Sequence, residues 1–116
     1  HLKQKNMKKL SETYKELGIG FTFPIEIKNA NGIWTYYEDS DDYWEIYERD
    51  VKGRPTYHED SNGFWQTWER DANGYVTYFE NRYGYCARYE YDADGIETYF
   101  EDNKGVMRGT PKSNNQ

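Results

Sequence analysis

The sequence has little of what most catalytic sites are built from. Its 116 residues include one cysteine, Cys86, and two histidines, His1 and His58. A single cysteine excludes an internal disulfide framework and favours a reducing compartment, so we expect a cytoplasmic protein. His58 takes a repeat position that otherwise carries an aromatic ring, and no histidine is placed beside Cys86 to activate it as a nucleophile. We therefore predict that the chain is not an enzyme.

Long apolar segments are also missing. The sequence contains no run of 18 apolar residues and no signal-peptide pattern, which predicts a soluble protein without a membrane partner. The first six residues, HLKQKN, precede a segment, MKKLSETYKEL, that reads like a natural start. We interpret residues 1–6 as a cloning remnant.

Aromatic residues are plentiful instead. They make up 19% of the chain, with 13 Tyr, whereas all hydrophobic residues together reach 35% and the mean hydropathy is −1.24. Tyr and Trp bury large apolar areas while keeping a polar group, so they can replace an aliphatic core. The composition predicts a folded protein with a thin, aromatic, partly hydrated core.

Acidic residues are concentrated in the middle of the chain. Residues 33–103 carry 18 acids and 6 bases, a net charge of −12, whereas residues 1–32 and 104–116 each carry +3. Such a segment would repel a phosphate backbone, so we predict no direct binding of nucleic acid. A basic protein is the partner that this charge favours.

Glycines divide the chain at regular intervals. They follow one another at spacings of 10 and 11 residues, with Asp42 in the one missing position, so the repeat unit is 21 residues. Between them, β-branched and aromatic residues alternate with charged ones, which is typical of strands. We predict a mainly all-β fold: a single twisted antiparallel meander sheet of about seven to eight strands, with a short N-terminal capping helix.

Two kinds of turn would explain the alternating spacing. Asn62-Gly63 and its equivalents fit two-residue hairpin loops, and the motifs DVKG, DANG and DADG fit three-residue loops with a bulge. DADG and DSDD lack the ligand spacing of an EF-hand and are interpreted as turns, so we expect no metal and no cofactor.

These loops predict the register of the sheet and two candidate binding rows. One aromatic residue per strand would lie in a continuous row: Tyr36, Tyr47, Tyr57, Trp68, Tyr78, Tyr89 and Tyr99. Beside it on the same face we expect an acidic row: Glu38, Glu45, Glu59, Glu80 and Glu101. Opposed like charges such as Glu38 and Glu45 destabilise a sheet, which indicates a role in binding beyond solubility.

The flanks of the repeat predict the domain organisation. KKLSETYKEL (8–17) is a helical segment that Gly18 ends, and FTFPIEIK (21–28) alternates as an edge strand. We therefore expect an N-terminal helix and edge-strand cap at 7–29, a hairpin-repeat sheet at 30–105 and a flexible tail at 106–116.

The repeat resembles a known family. YEYDADGIETYFEDNKG (89–105) is similar to the tandem YD repeats of RHS-type bacterial proteins and to Tyr/Gly-rich MORN-like repeats. The wider pattern over about residues 30–105 resembles short repeat proteins of bacteria and their phages. The resemblance implies tandem β-hairpins.

The hypothesis that best fits these features is a non-enzymatic protein-binding module. We expect a phage or mobile-element inhibitor, with an anti-defence or immunity-like role, that blocks a basic host protein such as a nuclease by imitating nucleic acid. The alternatives are a carbohydrate or cell-wall binding module, because regularly spaced rings can stack on sugars, and a virion structural or assembly protein. A homodimer also remains open.

Overall fold

The computed structural model describes residues 8–112, which form one helix and nine strands. The helix is α1 (Leu10–Leu17), and the strands are β1 (Ile25–Lys28), β2 (Trp34–Glu38), β3 (Trp44–Arg49), β4 (Pro55–Asp60), β5 (Trp65–Arg70), β6 (Val76–Asn81), β7 (Cys86–Tyr91), β8 (Glu97–Asp102) and β9 (Met107–Gly109).

The chain divides into two compact units, His1–Phe64 and Trp65–Gln116. In each unit, strands that are consecutive in the chain pair antiparallel with one another. The predicted all-β antiparallel meander with a short N-terminal helix is confirmed. The strand count exceeds the prediction because residues 107–109, assigned to a flexible tail, form β9 against β8. The predicted remnant at 1–6 lies outside the described residues.

All eight turns between strands share one geometry, which corrects the prediction of two alternating loop types. The first residue of each turn donates its backbone N–H to the carbonyl of the fifth, and the fourth residue has a positive φ. The fourth residue is Gly in seven turns and Asp42, with φ 68°, in the other. The side chain of the first residue accepts the backbone N–H of the third. These first residues are Asn29, Asp39, Asp50, Asp60, Asp71, Asn81, Asp92 and Asp102.

The additional residue in every second hairpin lies in the strand and not in the turn. The pairing between β3 and β4 shifts by one residue at Thr56, and equivalent shifts occur at Thr35, Thr77 and Thr98. Each shift is a β-bulge, in which two residues oppose one. The Thr56 hydroxyl donates to the carbonyl of Glu48 at 3.1 Å, which ties the bulge to the neighbouring strand.

Two differences in register overturn the predicted aromatic row: the β2–β3 turn has three residues between its paired ends instead of two, and the β3–β4 pairing shifts at the bulge. Tyr36 lies opposite Ile46 instead of Tyr47, and Tyr47 lies opposite His58. Because a one-residue shift moves a side chain to the other face, the row separates into two sets. Tyr36 and Tyr57 share one face of the first unit, and Tyr47 lies on the other. In the second unit, Tyr78 and Tyr99 share one face, and Trp68 and Tyr89 lie on the other.

The predicted acidic row is wrong for the same reason. Glu38 lies opposite Trp44, and Glu45 lies opposite Tyr37 in β2 and Asp60 in β4. Glu38 and Glu59 therefore share a face, whereas Glu45 is on the opposite one. In the second unit, Glu80 and Glu101 lie on the same face as Tyr78.

Helix α1 ends where the sequence predicts. Gly18 adopts φ 70°, and its N–H and that of Ile19 bond to the carbonyls of the last turn. The edge strand β1 begins after a cis Phe23–Pro24 bond and pairs with β2, as expected. Both elements belong to the first unit, whose buried residues include Ile25, Tyr36, Ile46 and Tyr57.

Candidate protein-binding surface

A tyrosine–glutamate pair recurs every 21 residues along the sequence. In each pair the phenol donates to the carboxylate two residues later, at 2.8 to 3.0 Å. The pairs are Tyr36–Glu38, Tyr57–Glu59, Tyr78–Glu80 and Tyr99–Glu101. Side chains two apart in a strand point to the same face, so each pair is formed within one strand. We call the face of each unit that carries these pairs its Tyr–Glu face.

Burial and the adjacent carboxylate keep these phenols protonated. Burial is the main cause that raises the pKa of Tyr36, Tyr57 and Tyr78 above its ordinary value. The hydrogen-bonded glutamates raise it further, because removing the phenol proton would place two negative charges in contact. The tyrosines therefore remain hydrogen-bond donors, and each glutamate is fixed by its neighbour.

The first of these pairs holds the N-terminus of α1. The N–H of Leu10 donates to the phenol oxygen of Tyr36 at 3.1 Å, and the N–H of Ser11 donates to Glu38 Oε1 at 3.1 Å. The Ser11 hydroxyl donates to the other carboxylate oxygen. No side chain of the helix itself caps this end, so the sheet satisfies amides that a helix start leaves without partners.

This contact removes Glu38 from the solvent. Its side chain is 1% exposed, and Ser11 is 3% exposed. A carboxylate at the positive end of a helix is electrostatically favourable, and the three donated hydrogen bonds offset the cost of burying its charge. One member of the predicted acidic row is therefore a structural anchor for α1.

An arginine on the Tyr–Glu face of the second unit neutralises part of the acidic surface. Arg88 forms ion pairs with Glu90 at 2.8 Å and with Glu101 at 2.7 Å. Its guanidinium carbon lies 5.2 Å from the ring centre of Tyr99. Hydrogen bonds from Arg88 and then from Tyr99 hold the pKa of Glu101 below its ordinary value.

Glu90 on this face also binds the chain that follows β9. The backbone N–H of Lys112 donates to Glu90 Oε1 at 2.8 Å. That bond is the largest cause lowering the pKa of Glu90, with a further contribution from Arg88. The face thus already accepts a backbone amide from another segment.

Two shallow depressions meet at Tyr78 and Arg88. The larger, of about 420 Å³, is lined by Glu69, Thr77, Tyr89 and Glu90 in addition to those two residues. The smaller, of about 200 Å³, lies toward Cys86 and Glu101. Each is large enough for one or two side chains of a partner. The second unit therefore has a concave, predominantly acidic surface on its Tyr–Glu face.

The opposite face of the first unit contains a buried imidazole. His58 is 8% exposed, and its ring centre lies 4.5 Å from that of Tyr47 and 6.1 Å from that of Phe64. Neither ring nitrogen of His58 has a hydrogen-bond partner. The sequence prediction that this histidine is a packing residue agrees with its position between two aromatic rings.

Aromatic and cationic side chains also lie on the opposite faces. Trp34 stacks on Tyr37 in the first unit, with ring centres 5.5 Å apart, and Arg49 lies over Tyr47. In the second unit, Tyr89 contacts Phe100, which Arg108 covers at 4.2 Å. The aromatic residues thus contribute to both sides of the sheet.

The residues that prediction missed are Ser11, Arg88 and the bulge threonines. The 21-residue spacing of Tyr-x-Glu in the sequence could have indicated the pairs, because a two-residue separation places both side chains on one face. The bulges were indicated less strongly, by a threonine at the same position of every 21-residue repeat.

Within residues 8–112, no group of three or more His, Cys, Asp or Glu side chains is arranged to hold a metal ion. In the same part of the chain, no helix has the length and apolar character needed to cross a membrane.

Comparison with known proteins gives no family assignment. The resemblance to YD and MORN-like repeats therefore stays a prediction. No protein-family model matches the chain, and a search of the curated proteins finds no match.

Proposed function

We propose that the chain is a non-enzymatic protein-binding module that engages a basic partner through the Tyr–Glu face of its second unit. The observation that supports this most strongly is the Tyr36–Glu38 pair, which binds the backbone amides of a peptide segment. The same chemistry recurs at Tyr78–Glu80, next to open depressions. A partner segment with exposed amides and basic side chains fits this surface.

Charge supports a basic partner. Glu69, Glu80, Glu90 and Glu101 share this face with Arg88, and residues 33–103 carry −12 in total. Complementary charge accelerates association and makes it sensitive to salt. A nuclease or another nucleic-acid-binding protein presents such a basic surface.

The finer hypothesis is that this binding inhibits a host protein on behalf of a phage or mobile element. The five carboxylates of the predicted acidic row cannot imitate a line of phosphates, because Glu38 is buried and Glu45 lies on the opposite face of the first unit. Docking of basic side chains beside Tyr78 and Arg88 is the form of the hypothesis that fits the geometry.

Affinity capture with charge-matched variants tests this function. The double variant Glu69→Gln/Glu80→Gln removes two charges from this face but keeps an oxygen acceptor for the Tyr78 phenol. The control, Asp41→Asn/Asp94→Asn, removes the same charge from turns. We expect a bacterial lysate to yield a basic protein that the wild type and the control retain and that the first variant loses. Equal capture by both variants, or no basic protein, would contradict the proposal.

The carbohydrate-binding and virion-assembly alternatives stay predictions. Glycans or cell-wall fragments that quench Trp fluorescence would favour the first, since Trp34 is 39% exposed. Mass spectrometry of purified particles tests the second.

A further inference from the structure

The edge strand β1 has backbone groups that face away from the sheet. Among the described residues, β2 is its one neighbour in the sheet. The N–H of Asn29 donates to Ile33 across the first turn, so Asn29 faces β2. Orientation alternates along a strand, and β1 contains no inserted residue. Ile25 and Ile27 therefore face β2 as well, whereas the N–H and C=O groups of Glu26 and Lys28 point outward.

These outward residues form a self-complementary sequence. If a second β1 runs antiparallel with Ile27 opposite Ile27 of that copy, Glu26 of each chain lies opposite Lys28 of the other. Both residues have outward backbone groups, so each such pair can exchange two hydrogen bonds. Opposite charges placed directly across an antiparallel pair stabilise it.

The side chains of β1 are accessible for this pairing. Glu26 and Lys28 are exposed, and Ile27 is 38% exposed. Phe23, just before the strand, is 39% exposed. Ile27 of the two copies would pack together at the non-hydrogen-bonded position, where side chains approach most closely.

The other terminal strand, β9, lacks these properties. It has three residues and ends at Gly109, whose φ of 80° turns the chain so that the Thr110 N–H bonds to the Thr98 carbonyl. Short edges and sharp turns are ordinary protection against edge pairing. On β1, a lysine that would normally discourage pairing is matched by a glutamate two residues away.

From this geometry we infer that two copies of the chain associate through β1, which extends the sheet across a twofold axis. The interaction is isologous, because the same four residues contribute on both sides. It is an addition of one strand to the edge of a sheet, with the second copy as the occupant. This inference is independent of the proposed function and needs only the purified chain.

Charge-reversal variants of the chain test the register. Glu26→Lys places Lys opposite Lys28 in both pairs, and Lys28→Glu places Glu opposite Glu26. We expect each single variant to weaken dimerisation about tenfold in sedimentation equilibrium, because two attractive pairs become repulsive. The double variant Glu26→Lys/Lys28→Glu restores opposite charges and should recover the wild-type dissociation constant.

A proline variant tests the backbone contribution. Glu26→Pro removes an outward N–H without removing a bond to β2, and proline is tolerated on an edge strand. It should remain folded by far-UV circular dichroism and be monomeric. A wild type that stays monomeric up to high micromolar concentration overturns the inference. So does a double variant that associates no better than the single variants, or a folded Glu26→Pro variant that dimerises normally.

Discussion

At the scale of single residues, the repeat reveals which side chains fit their position poorly. His58 occupies the position that Phe79 and Phe100 hold in later repeats. The ring centres of Phe100 and Tyr89 are 5.0 Å apart, and those of His58 and Tyr47 are 4.5 Å apart. The difference is that the imidazole brings two polar nitrogens into a site without hydrogen-bond partners.

We expect His58→Phe to stabilise the protein. Burying a polar group without a partner costs about 1 to 3 kcal/mol, and phenylalanine removes that cost while keeping the ring contacts. The free energy of urea unfolding should rise by about 1 kcal/mol. The reverse change, Phe100→His, should lower it. A loss of stability in His58→Phe would indicate that the imidazole makes a contribution absent from this account.

Arg88 gives the second unit a distinct response to acid. Glu101 and Glu90 have a pKa below the ordinary 4.5 when folded. A carboxylate whose pKa is lower in the folded than in the unfolded protein stabilises the fold at any pH above its unfolded pKa. This contribution is lost as the pH falls through its folded pKa. We expect the urea concentration at half-unfolding to decrease as the pH is lowered from about 5 to about 3. In Arg88→Gln this decrease should be less steep. Lys52→Gln, in an exposed turn, serves as the control. Equal slopes in both variants would contradict the assignment.

At the scale of elements, the hairpins show why the register could not be predicted. The glycine spacing correctly predicted where the turns and strands lie. It could not distinguish an extra residue in a loop from an extra residue in a strand, because both give a spacing of 11. Threonine at 35, 56, 77 and 98 resolves the ambiguity only when its hydroxyl is seen bonded across the bulge, as for Thr35, Thr56 and Thr77.

The short strand β9 depends on Gly109. A Cβ added there would overlap the carbonyl oxygen of Thr98, and the backbone has φ 80°. Gly105 has a similar φ of 92° but open space around it. Gly105→Ala should cost about 1 to 2 kcal/mol, the strain of a left-handed backbone.

We expect Gly109→Ala to cost more than Gly105→Ala and to release β9. Hydrogen exchange would report this as lost protection at Arg108, which pairs with Phe100. Similar stability and protection in the two variants would contradict the steric argument.

At the scale of the whole molecule, charge opposes compactness. Residues 33–103 carry −12 and the chain as a whole −6. Like charges on a folded chain repel one another, and salt shortens their range from about 30 Å at 0.01 M to about 3 Å at 1 M. We expect the thermal midpoint to rise with NaCl over this range. The control variant Asp41→Asn/Asp94→Asn should respond less steeply. A falling midpoint would mean that ion pairs such as Arg88–Glu101 outweigh the repulsion.

The sequence was more informative about architecture than about the site. Alternation and glycine spacing predicted the meander, and the helix stop at Gly18 was correct. The candidate surface depended on the register of the strands. An error of one residue in the predicted register therefore placed Glu45 and Tyr47 on the wrong face. The burial of Glu38 also needed tertiary information, because α1 reaches it from 27 residues away in sequence.

The bulge has a consequence for how such a chain can change length. One strand with its turn reverses chain direction, and a single bulge inverts the facing of all side chains beyond it. After a complete pair of strands, the chain again runs in its original direction and each side chain again points to its original face. Growth or loss of the array by duplication or deletion is therefore expected in steps of 21 residues, with half-steps eliminated as misfolded.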